Sequence, residues 1–409
     1  MLHLWQGYGI ELEYMIVDRD SLAVRPISDQ LLKDIVGEIS SDYEAGEAAW
    51  SNELVLHVIE FKTNGPAKAL DALPELFQHQ VAHANRVLAK HNAMLLGTGM
   101  HPFFNPATET KIWPHDYNVV YETYNRIFDC RGHGWSNLQS THLNLPFADD
   151  VEFGRLHAAV RYILPILPAL AASTPVADGK LAPALDFRLV NYAGNSARIP
   201  SATGDVIPEP IYDKDSYYNQ ILQKIWDDTA PFDPDGNLQG EFANARGAIA
   251  RFDRMAVEIR LLDIQECPEA DIAIVALVTA ALKLLERETY RPMAELKQAN
   301  THELSQILRH AMVGGESTVI HDRKYLKGFG IDASSAIAGE VWAHLLEVAM
   351  PPKDPARMRW GHALEVILKQ GTLATRLRKA LGAAPDRGRM VGVYTQLANS
   401  LQQGRLFEA

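Results

Sequence analysis

Apolar residues gather in five short segments of the chain, and in most of them they alternate with polar residues. This period of two is typical of strands that bury one face. In the first segment, for example, Glu11 and Glu13 stand between apolar residues. We therefore predict strands at Gly9–Val17, Glu53–Thr63, Ala93–Gly97, Ser140–Leu145 and Ala256–Leu262.

Between and after these segments, apolar residues recur at steps of three and four, which predicts helices. The segments Ala69–His91 and Val151–Ala172 show this pattern. A third long helix is expected to begin at Pro268, because proline suits the first turn of a helix. Beyond Thr301 the pattern is helical nearly throughout. The sequence therefore predicts a sheet packed against helices, followed by a helical carboxy-terminal part.

The composition is that of a globular chain: 409 residues, 47% hydrophobic and 22% charged, with a formal net charge of −12. Because this excess of acid repels phosphate backbones and anionic lipid, we expect neither nucleic acid nor a membrane as a partner. The first residues lack the features of a signal peptide. Cys130 and Cys267 show neither disulfide nor zinc spacing. We expect a cytoplasmic protein that acts on small molecules, and its oligomeric state stays open.

Several common catalytic signatures are missing from the sequence. It has no phosphate loop of the G-x-x-x-x-G-K-[ST] type, no G-x-G-x-x-G, no H-E-x-x-H and no G-x-S-x-G. The unusual feature is instead a set of charged side chains inside segments predicted to be buried strands. Buried charges need partners or metal ions.

Side chains two residues apart on a strand share a face, so some of these charged groups fall into pairs. Glu11 and Glu13 share a face of the first strand, and Glu258 and Arg260 share a face of the last. His142 lies within the fourth strand. Two carboxylates side by side repel each other unless a cation lies between them. These strands are therefore candidates for one cation-binding face.

Glu53 and Glu60 both fall in the second predicted strand. They are seven residues apart, so on a regular strand they point to opposite faces. The two can act together only if Glu53 lies at a bulge or at the strand end.

Each charged group also has an ordinary interpretation. A Glu-x-Glu pair can lie on an exposed strand, Glu258 and Arg260 can form a simple ion pair, and His142 can be a buried histidine with ordinary hydrogen bonds. The recurrence of such groups on several strands favours hard cations, which take oxygen ligands and leave positions open for phosphates. From the residues we predict two or three magnesium ions that hold a nucleotide.

Five segments of the chain resemble the glutamate-cysteine ligase family of carboxylate-amine ligases: Gly9–Glu13, Glu53–Thr63, Gln139–Asn144, Ser173–Arg188 and Val257–Asp263. Their order and spacing match the family over about Trp5 to Pro268. The resemblance implies an α+β, glutamine-synthetase-like fold with a curved, mainly antiparallel sheet, outer helices and a helical carboxy-terminal part. It implies a catalytic domain over 1–290 and a helical region over 291–409 that packs on it.

The resemblance also implies the reaction and its cofactors. The family uses ATP and magnesium to phosphorylate a carboxylate, usually the γ-carboxylate of glutamate, and an amine then attacks the acyl phosphate. With cysteine as the amine, the product is γ-glutamylcysteine, the precursor of glutathione. ATP and two or three Mg²⁺ ions, or Mn²⁺, are the implied cofactors. The metal shell carried over by position is Glu11, Glu13, Glu53, Glu60, His142 and Glu258.

Two arginines receive roles from the same resemblance. Arg260, beside Glu258, is expected to neutralise charge that develops on the transferred phosphoryl group, for which a guanidinium has suitable geometry. Arg188 lies where the family binds the substrate carboxylate. The family's Asn-Ser-Pro reads Ser173-Thr174-Pro175 in this chain, so the substrate stays open. A phosphotransferase such as a guanidino kinase, and a catalytically silent regulatory protein, remain alternatives.

Other residues that attract notice are assigned no chemistry. Cys130 is a lone cysteine, and such residues are more often inert than reactive. His101 falls in a predicted turn. Tyr117, Tyr121 and Tyr124 have helical spacing, which we interpret as packing rather than as a surface for adenine.

Overall fold

The computed structural model describes residues 1–238 and 242–408, and its largest sheet has eight strands. The strand order is β2-β3-β4-β1-β6-β10-β9, and β5 pairs with the second half of β1. All of these pairs are antiparallel. The strands are β1 Gly9–Asp18, β2 Asp42–Ala45, β3 Ala48–Asn52, β4 Val58–Thr63, β5 Ala93–Leu96, β6 Ser140–Pro146, β7 Val176–Ala177, β8 Lys180–Leu181, β9 Ala248–Arg251, β10 Ala256–Asp263, β11 Val319–Ile320 and β12 Ala336–Ile337.

Helices fill most of the chain between and after these strands. Those before residue 240 are α1 Ser28–Val36, α2 Leu73–Leu88, α3 Pro106–Glu109, α4 Asn118–Phe128, α5 His133–Ser136, α6 Asp150–Ile163, α7 Pro168–Ala171, α8 Phe187–Tyr192, α9 Pro200–Thr203, α10 Lys214–Tyr217 and α11 Gln223–Thr229. Those after it are α12 Pro268–Glu286, α13 Met293–Leu296, α14 Thr301–Gly314, α15 Arg323–Lys327, α16 Ala338–Ala349, α17 Pro355–Gln370, α18 Leu373–Leu381 and α19 Arg387–Gln403.

One face of the central strand β1 belongs to the main apolar core. Ile10, Leu12 and Tyr14 are fully buried in one cluster with residues of α2, α6 and α12. Because residues two apart on a strand share a face, this is the face opposite Glu11 and Glu13. The long helices therefore lie behind the sheet and leave its polar face on the other side.

The polar face of β1 becomes apolar in the second half of the strand. Met15 and Val17 are fully buried in a second cluster, together with Leu377 of α18 and Tyr394 of α19. Met15 and Val17 follow Glu11 and Glu13 at steps of two, so they lie on the same face. The carboxy-terminal helices therefore cover one end of the face that carries the carboxylates.

The structure confirms most of the predicted elements. Strands occur at β1, β5, β6 and β10, and α12 begins at Pro268 as expected. The predicted strand over Glu53–Thr63 is too long, because β4 begins only at Val58. The segment 53–57 connects it to β3, which was not predicted. β2 and β9 were also missed. Val151–Ala172 is interrupted after α6, where prolines follow.

Within the described residues, no helix has the length and apolar character needed to cross a membrane.

Candidate active site

The strand register brings the predicted carboxylates together on one face of the sheet. β1 lies between β4 and β6, so that Glu13 is directly opposite Glu60, and Glu11 is opposite His142. β10 pairs with the other edge of β6 and places Glu258 opposite Asn144. We call this surface, defined by Glu11, Glu13, Glu60, His142 and Glu258, the carboxylate face.

His142 lies at the centre of the carboxylate face. Its Nδ1 is 2.8 Å from Oε2 of Glu11 and 3.7 Å from Oε1 of Glu258, and its Nε2 is 3.8 Å from Oε1 of Glu13. Burial alone would lower the pKa of His142, but the hydrogen bond to Glu11 and the charges of Glu13 and Glu11 raise it to about 9. The surrounding carboxylates therefore favour the protonated form of the imidazole.

Neighbouring polar groups orient Glu13. The backbone N–H of Ser140 donates to its Oε2 at 2.6 Å, and the Ser140 hydroxyl lies 2.9 Å from the same oxygen. Both groups come from the first residue of β6, beside which β1 runs. The position of this carboxylate is thus fixed by backbone geometry as well as by charge.

Glu60 is held by a separate set of contacts. The Ser51 hydroxyl on β3 donates to its Oε1 at 2.6 Å, and Lys62 Nζ lies 3.1 Å from the same oxygen. Burial and the charge of Glu11 nevertheless raise the pKa of the Glu60 carboxyl above its usual range. Lys62 was not predicted as a site residue. The sequence could have identified Lys62, because it follows Glu60 by two residues and so lies on the same face of the strand.

Glu258 lies between two arginines. Arg251 Nη1 is 3.2 Å from its Oε2, and Arg260 Nε is 3.0 Å from its Oε1. The β10–β6 register shifts between Ile259 and Leu262, so a bulge occurs next to Arg260. Such irregularities re-aim side chains, and they are common beside active sites. The arginine predicted for phosphoryl transfer therefore adjoins the carboxylate face.

The donor atoms of the carboxylate face suit divalent cations. In each of two groups, Glu11–His142–Glu258 and Glu13–Glu60–His142, one ligand atom from every residue lies within 4.8 Å of the others. Carboxylate oxygens are the ligands that Mg²⁺ and Mn²⁺ prefer, and imidazole is accepted by several divalent metals. These residues therefore fit the metal centre implied by the sequence.

Glu53 lies near the carboxylate face but outside both groups. It is the first residue after β3, in the connection to β4. Glu53 therefore lies at a strand end, as it must if it acts together with Glu60. Burial, with the charges of Glu13 and Glu60, raises its pKa well above the usual range for a glutamate. Its role as a metal ligand stays a prediction.

Arg188 is fully buried, with 1% of its surface exposed. Its Nε donates to Oδ1 of Asp263 at the end of β10, and its Nη atoms lie 3.5 Å from the Arg260 carbonyl oxygen. Burial alone would lower the pKa of Arg188, but the charge of Asp263 raises it. The guanidinium of Arg188 thus lies beside the backbone of Arg260. Its contact with a substrate carboxylate stays a prediction.

Three tyrosines adjoin the carboxylate face, and sequence analysis interpreted two of them only as packing. Burial raises the pKa of Tyr121 above its usual range, with a further contribution from the charges of Glu53 and Glu60. Tyr192 is buried and Tyr124 is half-buried. Loss of solvent raises the pKa of both hydroxyl groups, and the charge of Arg260 partly offsets this rise. α4 and α8 therefore bring aromatic hydroxyl groups to the site from outside the sheet.

Comparisons with known proteins identify the family of this chain. The model of the glutamate-cysteine ligase family 2 matches residues 8–324. A protein of uncharacterised function from Archaeoglobus fulgidus is 30% identical over 399 residues, which covers 98% of this chain and 99% of the relative. A protein of Nocardioides sp., provisionally named glutamate-cysteine ligase 2-1, is 26% identical over 288 residues, or 68% of each chain.

Two solved structures share the fold at low sequence identity. The glutamate-cysteine ligase of Francisella tularensis, solved in complex with AMP, superposes with a TM-score of 0.58 at 12% identity and covers 97% of this chain and 88% of its own. The ligase PafA, solved in complex with the ubiquitin-like protein Pup, gives a TM-score of 0.50 at 14% identity and covers 98% and 76%. Both have the glutamine-synthetase-like fold, which confirms the predicted fold class. The match of the family model to most of the chain places this protein in glutamate-cysteine ligase family 2.

Proposed function

We propose that this protein is an ATP- and Mg²⁺-dependent carboxylate-amine ligase that forms an amide through an acyl phosphate. Membership of the family supports the ligase class. The observation that carries the proposal is the carboxylate face itself, where two groups of metal donors share His142 and Arg260 stands beside Glu258. Glutamate is the proposed carboxylate substrate and an amino acid such as cysteine the proposed amine.

The proposed reaction needs no covalent bond to the enzyme. A carboxylate oxygen of the substrate attacks the γ-phosphorus of ATP, and ADP leaves. The amine nitrogen then attacks the acyl carbon, phosphate leaves with the bonding electrons, and the amine loses a proton to solvent. Bound magnesium would supply positive charge to the phosphate oxygens. The residues that would hold it are Glu11, Glu13, Glu60, His142 and Glu258, with Glu53 at the edge of the site.

The side chains of the protein have distinct roles in this proposal. Arg260 offers a guanidinium for charge that develops on the transferred phosphoryl group, and Glu258 holds that guanidinium in place. Ser140 orients Glu13 through two hydrogen bonds. Arg188 receives the substrate carboxylate. Tyr121, Tyr124 and Tyr192 exclude water from the reacting groups, which protects an acyl phosphate from hydrolysis.

A phosphate-release assay with Mg-ATP tests this function. Glutamate is screened against a panel of amino acids and simple amines, and mass spectrometry identifies the conjugate. We expect phosphate release to require both a carboxylate and an amine and to yield an amide, and the Glu13→Gln and Arg260→Ala variants to lose it. Glu38→Gln is the matched control, because Glu38 is exposed in the connection between α1 and β2 and belongs to no strand of the sheet.

Two results would count against the ligase. A phosphorylated amine without amide would indicate a phosphotransferase. No turnover across the panel, together with no Mg²⁺-dependent binding of ATP, would instead indicate a protein that keeps the fold without the reaction.

A further inference from the structure

A cavity of about 530 Å³ lies among the helices, apart from the carboxylate face. Its walls come from α12, from the start of α17, from the segment 68–71 before α2 and from Tyr8. α12 packs against α2, α6 and α17 in the layer behind the sheet. None of the residues assigned to the proposed reaction lines this cavity. Its volume is in the range of pockets that hold small molecules.

Three cationic side chains line the cavity: Lys68, Lys283 and Arg287. In the part of the chain that the structure describes, none of them has a carboxylate oxygen within 4 Å. The glutamates on either side of Arg287 are engaged elsewhere, because Glu286 and Glu288 both pair with Arg155. In a chain with a net charge of −12, three cations without an ion pair around one cavity favour a negatively charged ligand.

Two aspartates also line the cavity and reduce its positive charge. The carboxylate of Asp354 is engaged as the N-cap of α17, where it accepts the backbone N–H of Ala356 at 2.8 Å. Asp71 lies in the exposed segment before α2. With three cations and two carboxylates, the cavity lining carries a net charge of +1. This charge suits a ligand with one or two negative charges.

The remaining walls are apolar. α12 contributes the small side chains Ala276 and Ala280, and Met350, just after α16, and Trp360 of α17 line the same cavity. Thr279, on the same face of α12, is 3% exposed, and its hydroxyl has no hydrogen-bond partner among the described residues. Buried hydroxyl groups are normally paired, so this one has unused hydrogen-bonding capacity at the cavity wall.

We propose that this cavity binds a small organic anion with an aromatic or aliphatic body and one carboxylate, sulfonate or phosphate group. The apolar body packs against α12 and Trp360, and the anionic group meets Lys68 and Arg287 at the exposed rim. Lys283 is directed to aromatic rings as well, since its Nζ lies 5.5 Å from the centroid of Trp5 and 6.0 Å from that of Tyr8. The site does not depend on the proposed ligase reaction.

The fluorescent aromatic sulfonate 8-anilinonaphthalene-1-sulfonate is a suitable probe, because it combines an apolar body with one negative charge. The full chain is titrated at low salt, and phenyl phosphate is added as a non-fluorescent competitor. We expect saturable binding of the probe to one principal site and displacement by phenyl phosphate. Raised ionic strength should weaken binding, because the rim cations are exposed to solvent.

Variants link the binding to the cavity. Lys68→Ala with Arg287→Ala removes two exposed cations, and we expect affinity for the probe to fall at least fivefold. The control is Lys33→Ala with Lys111→Ala, which removes equal charge from exposed positions outside the cavity and should leave affinity within twofold. Ala280→Trp fills the cavity and should abolish binding while all three cations stay. Circular dichroism checks the fold of each variant.

Several outcomes overturn the proposal. The proposal fails if the double variant Lys68→Ala with Arg287→Ala binds the probe with the same affinity as the wild-type protein. Another is loss of affinity that is the same in the control double variant, which would indicate only a general effect of charge. The absence of saturable binding of both the sulfonate and phenyl phosphate to the wild-type protein also rejects it.

Discussion

Arg376 of α18 and Glu266, three residues beyond β10, form an ion pair in which neither side chain is exposed to solvent. The Nη1 and Oε1 atoms are 2.5 Å apart, and the same Nη1 donates to the backbone carbonyl of Phe407 at 2.6 Å. The backbone N–H of Phe407 in turn donates to Glu266 at 3.3 Å. One buried contact thus joins the end of a site strand, a carboxy-terminal helix and the chain end. It holds α18 against Met15 and Val17, the apolar residues of β1 that follow Glu11 and Glu13 on the same side of the strand.

Removal of either partner of this pair should destabilise the protein strongly. Arg376→Met leaves Glu266 buried without a cation, and a buried pair broken on one side costs about 3–5 kcal/mol. The double variant Arg376→Met with Glu266→Gln leaves no uncompensated charge and should recover part of the loss. Urea unfolding of the three proteins measures these free energies. A loss below about 1 kcal/mol in Arg376→Met would show that the pair does not anchor the carboxy-terminal helices.

Strand alternation was sufficient to find most of the carboxylate face. Glu11, Glu13, His142 and Glu258 were identified because they occupy alternate positions in strands that the structure also has. Their mutual distances could not be predicted, since these depend on the register between β1 and its neighbours. The residues alone predicted magnesium ions and a nucleotide, and the family resemblance added the ligase reaction and the roles of Arg188 and Arg260.

The second predicted strand was too long for a physical reason. Leu54 and Val55 continue an apolar pattern that resembles β4, but they pair with a distant segment instead. Val55 forms a bridge with Ile112, and the Trp113 backbone N–H donates to the Leu54 carbonyl at 2.9 Å. A contact between segments nearly sixty residues apart in sequence leaves no local signal.

Long-range contacts also explain why the tyrosines were assigned to packing. α4 is positioned by the hydrogen bond from the Tyr124 hydroxyl to the carbonyl of Phe242 and by the one from Arg126 Nη1 to the carbonyl of Phe232, 2.5 Å long. Spacing along a helix predicts which side chains share a face. It cannot predict that this face is turned toward Glu53 and Arg260.

Substitution of Arg260 should reduce catalysis more than substrate binding. In the proposed reaction, Arg260→Ala removes the charge that meets the transferred phosphoryl group, and we expect kcat to fall by about 10² to 10³. Arg260→Lys keeps the charge but loses the planar, two-pronged guanidinium. Its kcat should therefore lie between that of the wild-type protein and that of Arg260→Ala. Steady-state kinetics of ATP-dependent phosphate release separates kcat from KM. Arg323→Ala, at an exposed position on α15, is the control. A higher KM with normal kcat would assign Arg260 to binding alone.

Divalent metal should stabilise the protein through the carboxylate face. Because the two donor groups lie in the folded sheet, Mg²⁺ or Mn²⁺ at one hundred times its dissociation constant should add about 2.7 kcal/mol to the free energy of unfolding. Thermal unfolding with and without EDTA measures this effect, and calorimetric titration gives the number of ions. Glu60→Gln should reduce both readouts, and Glu38→Gln, at an exposed position between α1 and β2, should not. Equal stabilisation of the Glu60→Gln variant would place the metal elsewhere.

Stability should decrease at mildly acidic pH, in part because of His101. Its Nε2 donates to the Leu22 carbonyl at 2.7 Å, and its Nδ1 accepts the backbone N–H of Phe103 at 3.1 Å. Both nitrogens of the neutral ring are thus used, and burial, against the hydrogen bond to Leu22, lowers the pKa to about 4. The unfolded state takes up a proton below pH about 6.5, whereas the folded state does so only near pH 4. The contribution is therefore complete above pH about 6.5 and is lost as pH falls toward 4.

This pH dependence can be separated from that of other groups. A single such histidine costs about 1.4 kcal/mol per pH unit within its window. His101→Gln can still donate to Leu22 but cannot titrate, so its free energy of unfolding should change less between pH 6 and pH 5 than that of the wild-type protein. Urea unfolding at several pH values measures the slopes. Identical slopes would mean that His101 is protonated equally in the two states.

Arg188 tests whether a fully buried arginine contributes to substrate binding or only to the pair with Asp263. Arg188→Lys keeps a cation for Asp263, and we expect the KM for the carboxylate substrate to rise about tenfold while kcat changes less than threefold. Asp263→Asn removes the partner and leaves the guanidinium, so stability should fall while the KM rises less than in Arg188→Lys. Kinetics and urea unfolding of both variants give the comparison. If Arg188→Lys loses stability as Asp263→Asn does and keeps the wild-type KM, the pair is structural, and the substrate carboxylate is bound by another cation.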